Sequence, residues 1–454
     1  MKTYDLIIIG DGPAGLSAAD QAAAMGITFL IIDENPLPGG RIFTQSGLKQ
    51  SDNIFNTAQK KRLFKKFSSF TRSLKSQTSV IGVFPDNILL LTSGEGTTKV
   101  RYKSLIVACG ASETGIPFPG WTLPGVMTSG CTQTLLKTQG IFPKKAVLAG
   151  TGPLQLILAD QLIKRGGKVL ALVETGSLPT WLKASTALLG QWKLLKEMGA
   201  CSLTLARHRV PVYFNSLVSS AHGEKSLQEI KISSLKGSLK KTIKTDSLCI
   251  GYGFVPSYEI TCSAGAKQTL INDKWGPVRG QDMQTSVEGL FAVGDGAEIN
   301  GAVMAEYEGA VAAIGTTRFL GKICESEAKK RLSLLYQKIK KEEKLRKQFN
   351  QLMKLPGKVF ELASDDTVIC RCEDITLRDL KTAAKDANSD INELKRLSRV
   401  GMGLCRGRTC GTAVGEILSK LTGSPLEKIG FFTPRPPFRP VTIGQLAKND
   451  FKDN

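Results

Sequence analysis

Four cysteines near the C-terminus carry the most distinctive chemistry of the chain. Cys370-Arg-Cys372 and Cys405-Arg-Gly-Arg-Thr-Cys410 give C-x-C, a gap of 32 residues and C-x4-C. Four thiolates can hold one iron–sulfur cluster or one structural zinc ion. Zinc modules usually separate their first pair by about two to four residues, so the tighter C-x-C favours iron–sulfur. Arg371, Arg399, Arg406 and Arg408 crowd the quartet. Cationic and N–H donors around cluster sulfurs raise the reduction potential, which suits an electron acceptor.

A second chemistry lies at the N-terminus. Gly10-Asp-Gly12-Pro13-Ala14-Gly15 follows an apolar run, and acids Asp33 and Glu34 follow the next one. In that context G-x-G-x-x-G reads as a dinucleotide fingerprint. Gly10 serves the tight turn, Gly12 the approach of a pyrophosphate, and Gly15 the packing of helix on strand. Asp33, preferred for its distance from Gly26, or Glu34 would hydrogen-bond a ribose. Gly150-Thr-Gly152-Pro-Leu-Gln155 repeats the pattern without its third glycine, and Glu174 ends the following strand. An acid there favours an unphosphorylated ribose, so NAD or another adenine nucleotide stands as one reading and an empty structural domain as the other. Gly294-Asp295 closes a further apolar run. Alone, Asp295 reads as a helix cap; paired with the first fingerprint, it suits the ribityl chain of a flavin.

Other chemistries are disfavoured. With only His208 and His222 in the chain, histidine acid–base catalysis is not expected, and no catalytic residue is assigned. No cysteine pair follows Gly39-Gly40 or forms C-x-x-C in the second unit, which leaves a disulfide-reductase mechanism without redox thiols. The six scattered cysteines, Cys109, Cys131, Cys201, Cys249, Cys262 and Cys324, read as buried small apolar residues rather than a disulfide framework. The net charge of +21 is concentrated between Lys329 and Lys347, where Leu335, Ile339, Leu345, Phe349 and Leu352 keep helical spacing. That is an amphipathic helix with a solvated basic face; no nucleic-acid reading motif accompanies it. No apolar run nears the roughly 20 residues of a membrane span, and no signal peptide precedes the first glycine turn, so a cytoplasmic location is expected.

The elements that must position these residues follow from hydrophobic patterning. Residues 4–34 read strand, glycine turn, helix, strand, and 145–174 repeat that grammar, giving two Rossmann-like βαβ units with one inserted in the other. At 454 residues several domains are expected. Residues 1–115 with 245–325 form the first nucleotide domain and 116–244 the second. A basic helical linker spans 326–360, the cysteine module 361–425, and a proline-rich tail 426–454.

Several segments carry a family resemblance: Ala108-Cys-Gly110-Ala111, Pro117-Phe-Pro-Gly-Trp-Thr-Leu-Pro-Gly-Val-Met127, Gly251-Tyr-Gly-Phe-Val-Pro-Ser257, Gly401-Met-Gly-Leu-Cys405 and Arg435-Pro-Pro-Phe-Arg-Pro440. Together they resemble the α subunits of bacterial opine oxidases, the HcnB-type component of hydrogen cyanide synthase, and the dye-linked proline and hydroxyproline dehydrogenase α subunits. They are more distantly similar to part of the sarcosine oxidase α subunit. The resemblance implies an α/β fold of the disulfide-reductase flavoprotein type with a small helical, bacterioferritin-associated-ferredoxin-like [2Fe-2S] module. It also implies FAD or an adenine nucleotide, an FMN shared at a subunit interface, and an FAD-dependent β subunit of the D-amino-acid-oxidase type that oxidises the C–N bond of an amino acid or opine. Carried onto this chain, the dinucleotide role falls on Gly10, Gly12, Gly15, Asp33, Glu34 and Asp295, with Pro13, Ala14, Arg41, Gly110 and Gly294 beside them. The cluster role falls on Cys370, Cys372, Cys405 and Cys410. Arg41 stands where the family usually shows Gln, and Cys109 where it shows Thr. The chain is thus expected to be an electron-transferring subunit of a flavin-dependent amine oxidase or dehydrogenase. The rivals are a self-sufficient NAD(P)H-dependent reductase of a protein acceptor and a non-catalytic nucleotide-binding scaffold.

Overall fold

The computed structural model describes residues 1–45, 58–67, 71–186 and 192–448. Its chain divides into two compact units, 1–112 with 255–342 and 433–454, and 113–254 with 343–432.

In the first unit, strand Lys2–Ile9 lies parallel to Phe29–Ile32 on one side and to Gly96–Val107 on the other. Leu290–Ala292 adds a parallel strand beside Gly96–Val107. The antiparallel strands Ile88–Ser93 and Ser79–Phe84 extend the sheet. Successive residues point to opposite faces, and both faces are buried, as a parallel sheet requires. Leu6, Ile8, Ile31 and Ile106 pack on one side with Ala18, Ala22, Val311 and Ala312. Ile7, Ile9, Leu30, Leu105 and Val107 pack on the other with Leu89, Leu91 and Phe438. Helix Pro13–Ala24 is rich in alanine and glycine, which lets helix Gly301–Phe319 press close to it. A Cβ at Gly309 would stand 2.1 Å from the Ala14 carbonyl oxygen. The proline-rich tail is extended, as its composition predicts, and its Phe438 N–H donates to Ile81 O at 2.9 Å.

The second unit holds a parallel sheet in the order Val212–Tyr213, Lys168–Glu174, Lys145–Gly150, Leu248–Gly251, Val126–Thr128. Helix Pro153–Lys164 follows its glycine turn. An antiparallel sheet of Ser216–His222, Glu229–Ser234 and Leu239–Lys244 packs with it through Leu217, Ile230 and Ile232. The cysteine segment has its own core, with Leu380, Ile391, Leu394, Val414 and Leu418 of three short helices closing over Ile369. Thr376 and Asp379 form a reciprocal cap at the start of helix Leu377–Ala384.

The fold is therefore the mixed α/β, twice Rossmann-type architecture that the repeated glycine grammar predicts. The basic stretch is helical over Glu325–Leu352; the side chains of Leu345 and Phe349 lie outside the described residues. The single cysteines differ from expectation. Cys201 and Cys249 are buried, but Cys131 and Cys324 are exposed and Cys109 and Cys262 partly so. Composition ranks cysteine as an interior residue on average and does not place any one of them. Among the described residues no helix is long and apolar enough to cross a membrane.

Candidate functional site

The first glycine turn lies between strand Lys2–Ile9 and helix Pro13–Ala24, and its glycines are dictated by space. At Gly10, with φ +102°, a Cβ would meet Ala108 O at 2.3 Å; at Gly15 one would stand 1.8 Å from Gly10 O. At Gly12, by contrast, the nearest atom is Gly40 Cα at 3.9 Å, so the turn is open on that side. Helix Pro13–Ala24 starts with Pro13 and no side-chain cap, leaving its first N–H groups to an outside acceptor. A Cβ at Gly110 would meet nothing within 4 Å, whereas one at Gly296 would stand 3.0 Å from the Gly110 nitrogen. A Cβ at Gly294 would touch Ala14 Cβ at 3.1 Å, which brings the Gly294-Asp295 turn to the head of the same helix. The result is a cradle lined by backbone, and it fits a dinucleotide.

The acids around this cradle are already organised. Asp33 Oδ2 accepts the Asp11 N–H at 2.9 Å, and Oδ1 accepts N–H and Nδ2–H of Asn35 at 2.7 and 2.8 Å. Glu34 points elsewhere, accepting from Arg439 Nε at 3.1 Å. Asp295 Oδ1 accepts from the N–H groups of Asn300 and Gly301 at 2.9 and 2.7 Å, so it caps helix Gly301–Phe319. Arg41 is exposed.

Two features here carry no sequence motif. Arg279 forks onto Glu308 at 2.7 and 3.0 Å, and Glu308 accepts the Gly294 N–H at 2.7 Å. This buried pair holds the Gly294-Asp295 turn in place, yet its members lie 29 residues apart in the chain. Asp11 is the other. It is fully buried, and its Oδ1 accepts from the N–H groups of Gly39 and Gly40, both at 3.2 Å. Burial, then the neighbouring Asp33 carboxylate, pushes its pKa up to about 8. Its Oδ2 finds no donor in the structure. A proton on that oxygen would satisfy it by donating to Asp33. The available signal is an acid between the first two glycines.

The second turn is built differently. Glu174 Oε2 accepts the Gly152 N–H at 3.2 Å and Oε1 the Gly176 N–H at 2.7 Å, and burial pushes its pKa up to about 7. Gln155, in place of the third glycine, turns inward: Nε2 donates to Gly251 O at 3.2 Å and Oε1 accepts from Ser129 Oγ at 2.9 Å. A Cβ at Gly152 would meet Met353 Sδ at 2.1 Å, and Thr151 Oγ1 donates to Leu352 O at 2.7 Å.

The four cysteines of the C-terminal module are drawn together as two hydrogen-bonded pairs, Cys370 with Cys410 and Cys372 with Cys405. Donation from the Cys410 thiol, with N–H groups of Gly401, Glu373 and Cys372, pulls the Cys370 pKa down to about 5. Cys410 is correspondingly raised, with burial adding to the effect. Backbone N–H donors aimed at sulfur suit thiolate ligands, so the donor set fits a thiolate-bound metal centre. Among the described residues no group of three or more His, Cys, Asp or Glu side chains is assembled as a metal-ion site. Gly403 presses against Cys372, where a Cβ would stand 2.1 Å from Cys372 Cβ. Of the four arginines, Arg371 lies 5.5 Å over the Trp121 ring and Arg399 pairs with Glu373 at 3.0 Å. The Trp121 Nε1–H donates to Val368 O at 2.6 Å, tying the breaker-rich 117–125 segment to the first strand of the module.

A twice Rossmann-type chain with a backbone-lined dinucleotide cradle defines an oxidoreductase of the FAD- and NAD(P)-binding class. The chain belongs to the pyridine nucleotide-disulphide oxidoreductase family, which residues 4–315 match. Residues 364–449, which contain the quartet, match the sarcosine oxidase A3 domain. The A subunit of opine oxidase from Agrobacterium tumefaciens is 30% identical over 98% of this chain and 91% of its own length. The HcnB subunit of hydrogen cyanide synthase from Pseudomonas aeruginosa is 29% identical over 96% of each chain. The crystal structure of L-proline dehydrogenase from P. horikoshii shares the fold, with a TM-score of 0.70 at 20% identity over 98% of this chain and 79% of that one. The family resemblance carried by the sequence motifs is thus borne out.

Proposed function

We propose that this chain is the electron-transferring subunit of a heteromeric flavin-dependent amino-acid or opine oxidase or dehydrogenase, and that a partner chain oxidises the substrate. The observation that carries the reading is the end-to-end similarity, cysteine module included, to a protein named as one subunit of an opine oxidase. The geometry supports it. Gly12 and the free N–H groups at the head of helix Pro13–Ala24 would receive the pyrophosphate of FAD, with Asp33 at the ribose and Asp295 near the ribityl chain. Cys370, Cys372, Cys405 and Cys410 would hold a [2Fe-2S] cluster. FAD supplies the conversion of a hydride into single electrons, which a cluster passes on.

Within this chain Asp11 ties the Gly39-Gly40 loop to the turn, Arg279 and Glu308 hold the second acidic turn, and the N–H groups around Cys370 keep it a thiolate. The substrate-oxidising partner is assigned as an FAD-dependent β subunit of the D-amino-acid-oxidase type, with an FMN at the shared interface. The protein is assigned to the cytoplasm.

The test is anaerobic purification from the native host, with metal analysis, an absorption spectrum and identification of co-purifying chains. Iron at about two per chain with a flavoprotein partner is the expected result for a protein carrying [2Fe-2S]. Zinc at about one per chain and no partner would overturn the reading. Flavin reduction that requires both the partner and an amino acid or opine completes the test.

A further inference from the structure

The glycine turn of the second unit has an occupant of its own. The first turn leaves the face of Gly12 open to 3.9 Å, whereas the equivalent face of Gly152 has Met353 Sδ 2.1 Å from where a Cβ would lie. The backbone brings the methionine there. Thr151 Oγ1 donates to the Leu352 carbonyl at 2.7 Å, and Leu352 is only 2% exposed. Glu174, where an adenosine ribose would be read, is 1% exposed, and each of its oxygens already accepts a backbone N–H. Gln155 fills the space behind the turn with both ends of its amide bonded.

We infer that Leu352 and Met353 take the place in which a nucleotide pyrophosphate would lie, and that the second unit therefore admits no pyridine nucleotide. A diphosphate must come within hydrogen-bond reach of the N–H groups at the start of helix Pro153–Lys164. A thioether packed on Gly152 denies it that approach while offering the helix only a weak acceptor. Methionine suits such a plug, being unbranched and polarizable enough to fill an irregular gap. The inference goes beyond the proposed function. Whatever partner feeds the flavin, NADH and NADPH cannot deliver electrons through this unit.

The test uses the full chain saturated with FAD and titrated with ADP and with NADH, followed by calorimetry. The wild-type chain is expected to show no saturable binding at this turn below about 1 mM. Met353→Gly and Met353→Ala, two variants of different severity, are expected to gain binding at least about tenfold tighter than that limit. Adding Gly152→Val to either variant should abolish the gain, which assigns it to this turn whether or not FAD fills the first. Saturable binding by the wild-type chain that Gly152→Val removes would overturn the inference. Failure of both methionine variants to bind would overturn the assignment of Met353 as the occluding group.

Discussion

At the scale of single residues, Asp11 poses the sharpest electrostatic problem in the first unit. Its carboxyl is buried against Asp33, next to a helix start suited to a diphosphate, and among the described residues no cation appears as a cause of its shift. Its pKa rises from the ordinary 3.8 to about 8, so the folded chain holds a proton that the unfolded chain releases. The sign follows: the stability conferred is fully present below about pH 4, declines as pH rises through the interval, and is lost above about 8. Asp11→Asn keeps an acceptor for Gly39 and Gly40 and supplies a permanent donor toward Asp33. Relative to wild type it should therefore gain roughly 1–3 kcal/mol at pH 8.5 and little at pH 5 in denaturant titrations. Parallel pH profiles for the two proteins would show that no shared proton exists. The glycines and Asp33 are legible in the sequence because a dinucleotide turn demands those types at those spacings. Asp11 is not, since its role comes from burial and from a loop 28 residues away that a linear motif does not encode.

At the scale of elements, the two glycine turns show what a motif does and does not specify. In the first, the third glycine exists because the head of helix Pro13–Ala24 lies on its own turn. Gly15→Ala would place a methyl group 1.8 Å from the Gly10 carbonyl oxygen, a backbone atom that cannot swing aside. The helix must lift, which should cost roughly 1–3 kcal/mol by overpacking. FAD retention during gel filtration should fall with it. A variant that keeps both its stability and its flavin would show that the helix packing is looser than the geometry says. The second turn is ambiguous in the sequence because Gln155 replaces that glycine. The structure resolves Gln155 locally, through Ser129 and Gly251, but the decisive neighbours are Leu352 and Met353, about 200 residues downstream. Strand and helix patterns are readable from hydrophobic periodicity; which distant segment settles on the turn is not.

At the scale of the whole molecule, each unit carries its own hydrophobic cores, and the candidate cofactors divide between them. The first unit contains the open glycine cradle, and the second contains the filled turn and the four cysteines. A ligand that binds only folded protein stabilises whatever unfolds with its site, by about 2.7 kcal/mol at a hundredfold excess over Kd. Two calorimetric transitions are therefore expected, because separate cores in a chain of 454 residues do not oblige it to melt as one. Adding FAD should raise the transition of the first unit and leave the other in place. Cys410→Ser, buried in the module core, should lower the second transition and spare the first. NAD should move neither, because the first cradle is then filled by FAD and the second by Met353. The transitions can be assigned by limited proteolysis at each temperature, reading peptides from 1–112 and from 113–254. A single transition shifted alike by FAD and by Cys410→Ser would mean that the units unfold together, and flavin occupancy would then stabilise the cysteine module as well.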